Sequence, residues 1–325
     1  MNPLRIVVII PTRNPNRERL HEVLDALRKQ DLPATAWELC LLDNGSTPTL
    51  EPDLVDGFAH AQVVRETRPG LLWARLTGLR RTSAPVLVFI DDDTVPHPHF
   101  LSAAVEFMDA HPRVATAGGK IIPRFLAASP DWLEHAGWAL ALRDNGSEPL
   151  TWSLAAGGDL PHWTPIGAGL IVRRAALEPA YVTHVETHAA LIERISWKGQ
   201  GCGGVEDKDL VLHCLRRGWA TGYTPAAVLT HIIPPNRLEL SYFEKLIPAV
   251  QTLWARTLFA HGFNTRAPIA WWMLPVRQLK AWFAFKAWQS PTNRLQWLAA
   301  CGFLAGLAAI TRDPVRYPAA TDDSP

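Results

Sequence analysis

The chain has 325 residues, 48% hydrophobic and 19% charged, which suits one large α/β domain with an appendage and excludes bulk disorder. Its formal net charge of +1 provides no basic field for nucleic acid, and there is no acidic tail. Four cysteines (Cys40, Cys202, Cys214 and Cys301) lack CxxC spacing, which argues against a disulfide framework and for reduced thiols.

The N-terminus runs straight into a strand-like segment without the parts of a secretory signal, so a cytoplasmic location is expected. Ile6 to Ile10 is a continuous apolar, β-branched run. Such a strand has both faces buried, as in a parallel sheet covered by helices. It stops at Pro11-Thr12-Arg13-Asn14, and Leu20, Val23, Leu24 and Leu27 then mark one face of a helix. Leu39 to Leu42 is a second strand, ending at Asp43-Asn44-Gly45-Ser46-Thr47. Val63-Val64 is a third, shorter one. Gly70 to Thr82 reads as a helix with Leu72, Leu76 and Leu79 as its apolar stripe, and Val86 to Ile90 as a fourth strand. This alternation predicts a doubly wound α/β sheet. The polar residues gather just past strand C-termini, where open α/β sheets bind ligands.

Asp91, Asp92 and Asp93 follow the fourth strand directly, with a turn expected at Thr94-Val95-Pro96. Neighbouring carboxylates repel, and a hard divalent cation bridging them to a phosphate would relieve this. The alternative is an acidic turn capping a helix that starts near Pro98. Pro11 to Asn14 and Leu42 to Thr47 can offer amides and short side chains to a nucleotide, or serve only as turns. Arg75 lies one residue off its helix's apolar stripe, where it can reach a diphosphate or stay on the surface.

Val114 to Ala117 and Gly167 to Val172 look like further strands. Residues 126–165 are rich in Trp, Gly and Pro, and are expected to cross over the cleft. The glycine-rich segment from Gly201 runs into Glu206 and Asp207 at the start of a helical pattern. Glycines allow close approach to a ligand, and a carboxylate there can take a proton from a hydroxyl. Its plainer role is to complement the helix macrodipole. His231 follows Val228-Leu229 at what reads as a strand end, as a metal ligand or a structural residue. GxGxxG, GxxxxGK[ST] and GxSxG patterns and zinc-type Cys/His spacing are all absent.

Many of the 14 Trp come late, and residues 268–310 are Trp-rich and basic. The uncharged stretch from Leu295 to Ile310 is 16 residues, short of the ~20 that span a bilayer. Two expectations stand: an interfacial helix pair on a membrane surface, or a helical hairpin packed on the domain or on a partner.

The ordered set PTRN, LDNGST, Arg-bearing helix, acidic triplet, Gly167-Ala168-Gly169, GGxED and late His231 resembles the family-2 glycosyltransferases over residues 4–237. These are inverting enzymes of the GT-A fold. The resemblance implies a Rossmann-like, mostly parallel sheet with helices on both faces in residues 1–236, followed by a Trp-rich helical extension in 237–325. It implies a nucleotide-diphosphate sugar as donor, UDP favoured. Pro11, Thr12, Arg13, Asp43, Asn44, Arg75 and Asp92 would bind that donor. Asp91, Asp93 and His231 would hold Mg²⁺ or Mn²⁺. Asp207 would be the general base, with Glu206 beside it. Asn44 departs from the family's common Asp-Asp-Gly-Ser form, which puts the base contact in question.

The Q-x-x-R-W motif of processive polysaccharide synthases is absent after His231, which argues for addition of a single sugar. The acceptor would be a saccharide or a lipid-linked saccharide in cell-envelope or exopolysaccharide synthesis, with the protein peripheral at the inner face of the membrane. Two rivals are a non-catalytic scaffold of the same fold, and a nucleotidyltransferase. The latter needs glycines after strand one, where PTRNPNRERL has none.

Overall fold

Every residue of the first strand, β1 (Ile6–Thr12), is buried in the computed structural model, which describes residues 3–195, 204–263 and 266–318. Successive strand side chains point to opposite faces. Ile6, Val8 and Ile10 therefore meet α1 (Arg17–Arg28) through Leu20, Val23, Leu24 and Leu27. Val7 and Ile9 meet α2 (Leu71–Arg81) through Leu72, Leu76 and Leu79. Three strands, β2 (Trp37–Asp43), β3 (Ala61–Arg65) and β4 (Val86–Phe89), run parallel with β1 in the order β3-β2-β1-β4.

The chain continues through β5 (Thr94–Pro96), α3 (Phe100–Ala110), β6 (Val114–Phe125), β7 (Leu150–Trp152) and β8 (Leu170–Arg173). Then come α4 (Arg174–Leu177), α5 (Ala180–Thr187), α6 (Ala189–Ile195), α7 (Glu206–Arg216) and β9 (Ala220–Ile233). The described sheet has the order β3-β2-β1-β4-β8-β6-β9-β5, with β7 also on β9. Its long pairings are parallel, and the antiparallel ones of β5, β7 and β8 are short. This is the GT-A arrangement of a mostly parallel sheet with helices on both faces.

Two local expectations are corrected. Thr94-Val95-Pro96 is a short strand rather than a turn, because it finds an edge on β9. His231 is not past a strand end but inside β9, opposite Thr94.

Three more helices follow: α8 (Leu240–His261), α9 (Leu274–Ala284) and α10 (Pro291–Ile310). α10 lies close along α8 because two glycines permit it. A Cβ on Gly302 would stand 2.3 Å from the Pro248 carbonyl oxygen, and one on Gly306 2.5 Å from that of Thr252. The Thr252 hydroxyl donates to the Gly302 carbonyl at 2.9 Å. No described helix is long and apolar enough to cross a membrane.

One buried carboxylate joins the tail to α7, in addition to the apolar contacts of Phe243, Ile247 and Leu295 with Leu133, Leu140 and Ile233. Asp209, on α7, is completely buried. Its Oδ1 accepts from His261 Nε2 at 2.8 Å and the Tyr317 hydroxyl at 3.2 Å. Its Oδ2 accepts from the Tyr181 hydroxyl at 3.4 Å and His184 Nε2 at 3.3 Å. Burial opposes the charge, yet the two histidines overcome it and hold the carboxyl far below the usual range. Asp209→Ala would leave four buried donors without their acceptor. It should cost about 3–5 kcal/mol, read as a lower urea midpoint. An unchanged midpoint would show that the hub contributes nothing to stability.

Candidate active site

Two depressions meet at the C-terminal ends of the parallel strands. The first, about 630 Å³, is lined by Pro11, Thr12, Arg13, Asp92, Asp93, His231 and Arg237 among others. The second, about 460 Å³, is lined by Arg75, Arg143, Glu206, Asp207, Lys208 and Trp254 among others. Asp91 lines both.

The acidic triplet begins one residue after β4, where Ile90 is still fully buried. The Asp91 amide donates to the Thr94 hydroxyl, and the Thr94 amide to the Asp91 carbonyl, which closes a tight turn. The three carboxyls then sit in different environments. Burial, reinforced by the charge of Asp93, raises Asp91, and Arg75 offsets this only in part. Burial also pushes Asp92 up from 3.8 to about 6, although the Thr12 hydroxyl donates to it. Burial works against Asp93 too, but His231 and Arg237 outweigh it and hold that carboxyl below the usual range. Arg237 Nη1 stands 3.2 Å from Asp93 Oδ2.

The first depression carries oxygen and nitrogen groups of the kind that hold a divalent cation. His231 Nδ1 lies 2.9 Å from the Leu140 carbonyl, an acceptor, so this nitrogen carries the proton. In the neutral ring Nε2 then keeps its lone pair, and Arg237 Nη1 donates toward it at 3.3 Å. A carbonyl-held imidazole is the usual state of a metal-binding histidine. Asp93 Oδ1 lies 3.5 Å from that Nε2. This oxygen and nitrogen pair would suit a divalent cation that displaces the Arg237 guanidinium from beside them. Asp91 does not join them: among the described residues, the one group of three potential ligands within 4.8 Å is the buried His184, Asp209 and His261. That group is already consumed as the Asp209 hub.

The residues expected at the nucleoside divide. Thr12 and Arg13 face the first depression. Asp43 does not. It is fully buried, with Oδ1 accepting from the Ser46 amide at 2.6 Å and Oδ2 from Arg65 Nη1 at 3.2 Å. Asn44 edges the depression, but its side chain is occupied. It donates to the Arg68 carbonyl at 2.7 Å and accepts from the Gly70 amide at 2.8 Å. Both side chains shape the loops around the site instead of presenting free groups to it.

In the second depression, Asp207 stands at the start of α7. Its Oδ2 accepts from the Gly167 amide at 2.6 Å and its Oδ1 from its neighbour's amide, Lys208, at 2.8 Å. Glu206 faces Arg75 across 3.7 Å. Arg75 is 6% exposed and wedged against Gly167, where a Cβ would come within 2.5 Å of Nη2. It therefore belongs with Asp91 and the α7 carboxylates, not beside Thr12 and Arg13. Gly201 and Gly203 of the glycine-rich segment lie outside the described residues.

Four lining residues had no assigned role in the sequence. Lys208 sits inside the Glu206-Asp207 segment, where its charge was the available signal. Its Nζ donates to the Thr164 and Pro165 carbonyls at 3.2 Å, and burial lowers it to about 8. Arg143 comes from the crossing segment, and its buried Nε has no hydrogen-bond partner. Arg237 and Trp254 come from beyond residue 236. No local pattern marks these last three.

The comparisons with known proteins bear on this geometry. The profile of the family described as "Glycosyl transferase family 2" matches residues 7–154. That of "Glycosyl transferase family group 2" matches residues 86–310, well over half of the chain. The chain belongs to glycosyl transferase family 2. This family-2 transferase is 25% identical over 244 residues to an N-acetylglucosaminyltransferase of Azorhizobium caulinodans, covering 71% of this chain and 55% of that one. It is 29% identical over 104 residues to the glycosyltransferase AglE of Haloferax volcanii, covering 31% and 34%. It thus spans a third to about half of those relatives' length. The crystal structure of S. aureus TarS aligns over 94% of the transferase and 55% of its own chain, at 14% identity and a TM-score of 0.49.

The transferase's raised Asp92 has a measurable sign. Its carboxyl holds a proton in the folded state that the unfolded chain has already lost, so its ionisation costs stability as pH rises from about 4 through about 6. Asp92→Asn removes that cost while leaving an acceptor for Thr12. The ligand-free variant should melt about 2 °C or more above wild type at pH 8, and the difference should shrink steadily as pH falls toward 4. An equal shift at both pH values would rule out this origin.

Proposed function

We propose that this transferase moves a single sugar from a nucleotide-diphosphate sugar, UDP favoured, to a hydroxyl of a saccharide or lipid-linked acceptor, with inversion. The observation that carries this reading is the position of Asp91. It faces both the depression with the strand-end polar groups and the depression with Asp207. A donor laid across that junction has its nucleoside in the first and its sugar in the second. The acceptor enters beside the sugar.

Asp207 takes the proton of the acceptor hydroxyl as its oxygen attacks the anomeric carbon. The bond to the diphosphate breaks on the opposite face, and its electron pair leaves with the phosphate oxygen. The Gly167 and Lys208 amides fix the Asp207 carboxylate for this task. Arg75, held by Glu206 and Gly167, puts positive charge next to Asp91, where the diphosphate's charge grows. Asp93 and His231 would hold Mg²⁺ or Mn²⁺, which offsets that charge when bound. The missing Q-x-x-R-W motif supports one transfer per acceptor. The name of the Azorhizobium relative makes UDP-N-acetylglucosamine the first donor to try.

Two measurements test this reading. In a thermal-shift panel of nucleotide sugars, one UDP-sugar with Mn²⁺ should raise Tm by several degrees, the response to about 2.7 kcal/mol at a hundredfold excess over Kd. Asp93→Ala should abolish the rise. No shift with any nucleotide would favour the non-catalytic scaffold. Asp207→Asn should keep the donor shift and lose about 10²- to 10⁴-fold in turnover. Near-normal turnover with intact binding would place the base elsewhere.

A further inference from the structure

Trp272, Val276, Leu279 and Phe283 are 65%, 56%, 58% and 61% exposed. Spaced four, three and four residues apart, they fall within about 60° of arc on α9 and the turn before it. The opposite side of α9 is already used. Trp282 packs edge-on against Trp297 of α10 with ring centres 4.8 Å apart, and Trp297 Nε1 donates to the Gln278 carbonyl at 3.1 Å. The outer stripe is thus left over after the helix has been packed. Trp271 and Trp288, each 55% exposed, extend it at both ends.

The charge around the stripe is one-sided. From Lys245 to Arg312 the sequence has no Asp or Glu and eight Lys or Arg, whereas the whole chain carries only +1. The remainder of the protein is therefore net negative. Arg277 and Lys280 flank the stripe, and both are exposed. An apolar, Trp-rich stripe with basic flanks, on a helix of 11 residues, suits the plane of a lipid headgroup layer. A net-negative remainder would be pushed away from an anionic surface, which fixes the orientation.

We propose that α9 docks the protein on an anionic membrane surface, and so holds the second depression where a lipid-carried saccharide can enter. The link is mechanical. Val250, Gln251 and Trp254 of α8 line that depression, α10 is locked to α8 at Gly302 and Gly306, and α9 is packed on α10. The acceptor class rests on the transferase reading; the docking does not.

The test is co-sedimentation of the full chain with vesicles of phosphatidylcholine alone or mixed with phosphatidylglycerol. The expected result is partitioning at least about tenfold stronger onto the anionic vesicles, weakened by salt. The triple variant Trp272→Ser, Leu279→Ser, Phe283→Ser should lose at least about tenfold on those vesicles and keep the donor thermal shift. Arg277→Gln with Lys280→Gln should narrow the anionic preference. Equal partitioning onto both vesicle types, or none onto either, would overturn the proposal. So would a dimer, seen by light scattering, that the triple variant dissociates, because a second copy would then cover the stripe. Vesicle binding without any donor shift would sink the transferase reading and leave the docking intact.

Discussion

Burial of both faces of the parallel strands is the constraint on which the site depends. No residue of β1 is exposed, and its side chains alternate between two helix layers. A charged group along such a strand would be buried without compensation. Along β1 and β4 polar chemistry therefore enters at the strand ends, whereas His231 enters from inside β9. Because β1, β2 and β4 are parallel, their exits lie on one edge. Thr12 and Asp92, 80 residues apart in sequence, meet there in a hydrogen bond.

The same economy governs the carboxylates. The three aspartates after β4 avoid three adjacent charges by having three different environments: a hydroxyl donor at Asp92, Arg237 and the His231 ring at Asp93, and burial beside Arg75 at Asp91. On α7 the separation is angular. Residues two apart on a helix point about 200° away from each other. Asp207 consequently faces the second depression while Asp209 faces the core, where two histidines and two tyrosines surround it. One helix start thus supplies both the proposed base and the anchor that holds it still.

That anchor also makes the tail part of the site. His261 and Tyr317 reach Asp209 from beyond residue 236, and α8 contributes Trp254 to the pocket wall. The tail closes the depression on one side and presents an unpacked aromatic stripe on the other.

The amino-acid sequence by itself determined the first four strands, α1 and α2, because β-branched runs and 3.6-residue periodicity are local properties of the chain. It also marked the acidic triplet and the Glu206-Asp207 pair, since charges beside apolar runs stand out without any partner in view. The tertiary structure alone decided what each side chain meets. Asp43 and Asn44 look like ligand groups in sequence, but Ser46, Arg65, Arg68 and Gly70 consume their hydrogen-bonding capacity from neighbouring loops. His231 became a strand residue because β5 pairs with it. Arg143, Arg237 and Trp254 arrive at the cleft from distant segments that carry no motif. The Trp-rich tail reads alike whether its rings are packed or exposed. Only the packing of α9 on α10 separates its half-buried side from its open one, because burial and hydrogen-bond partnership are set by the distant segments that fold against a residue.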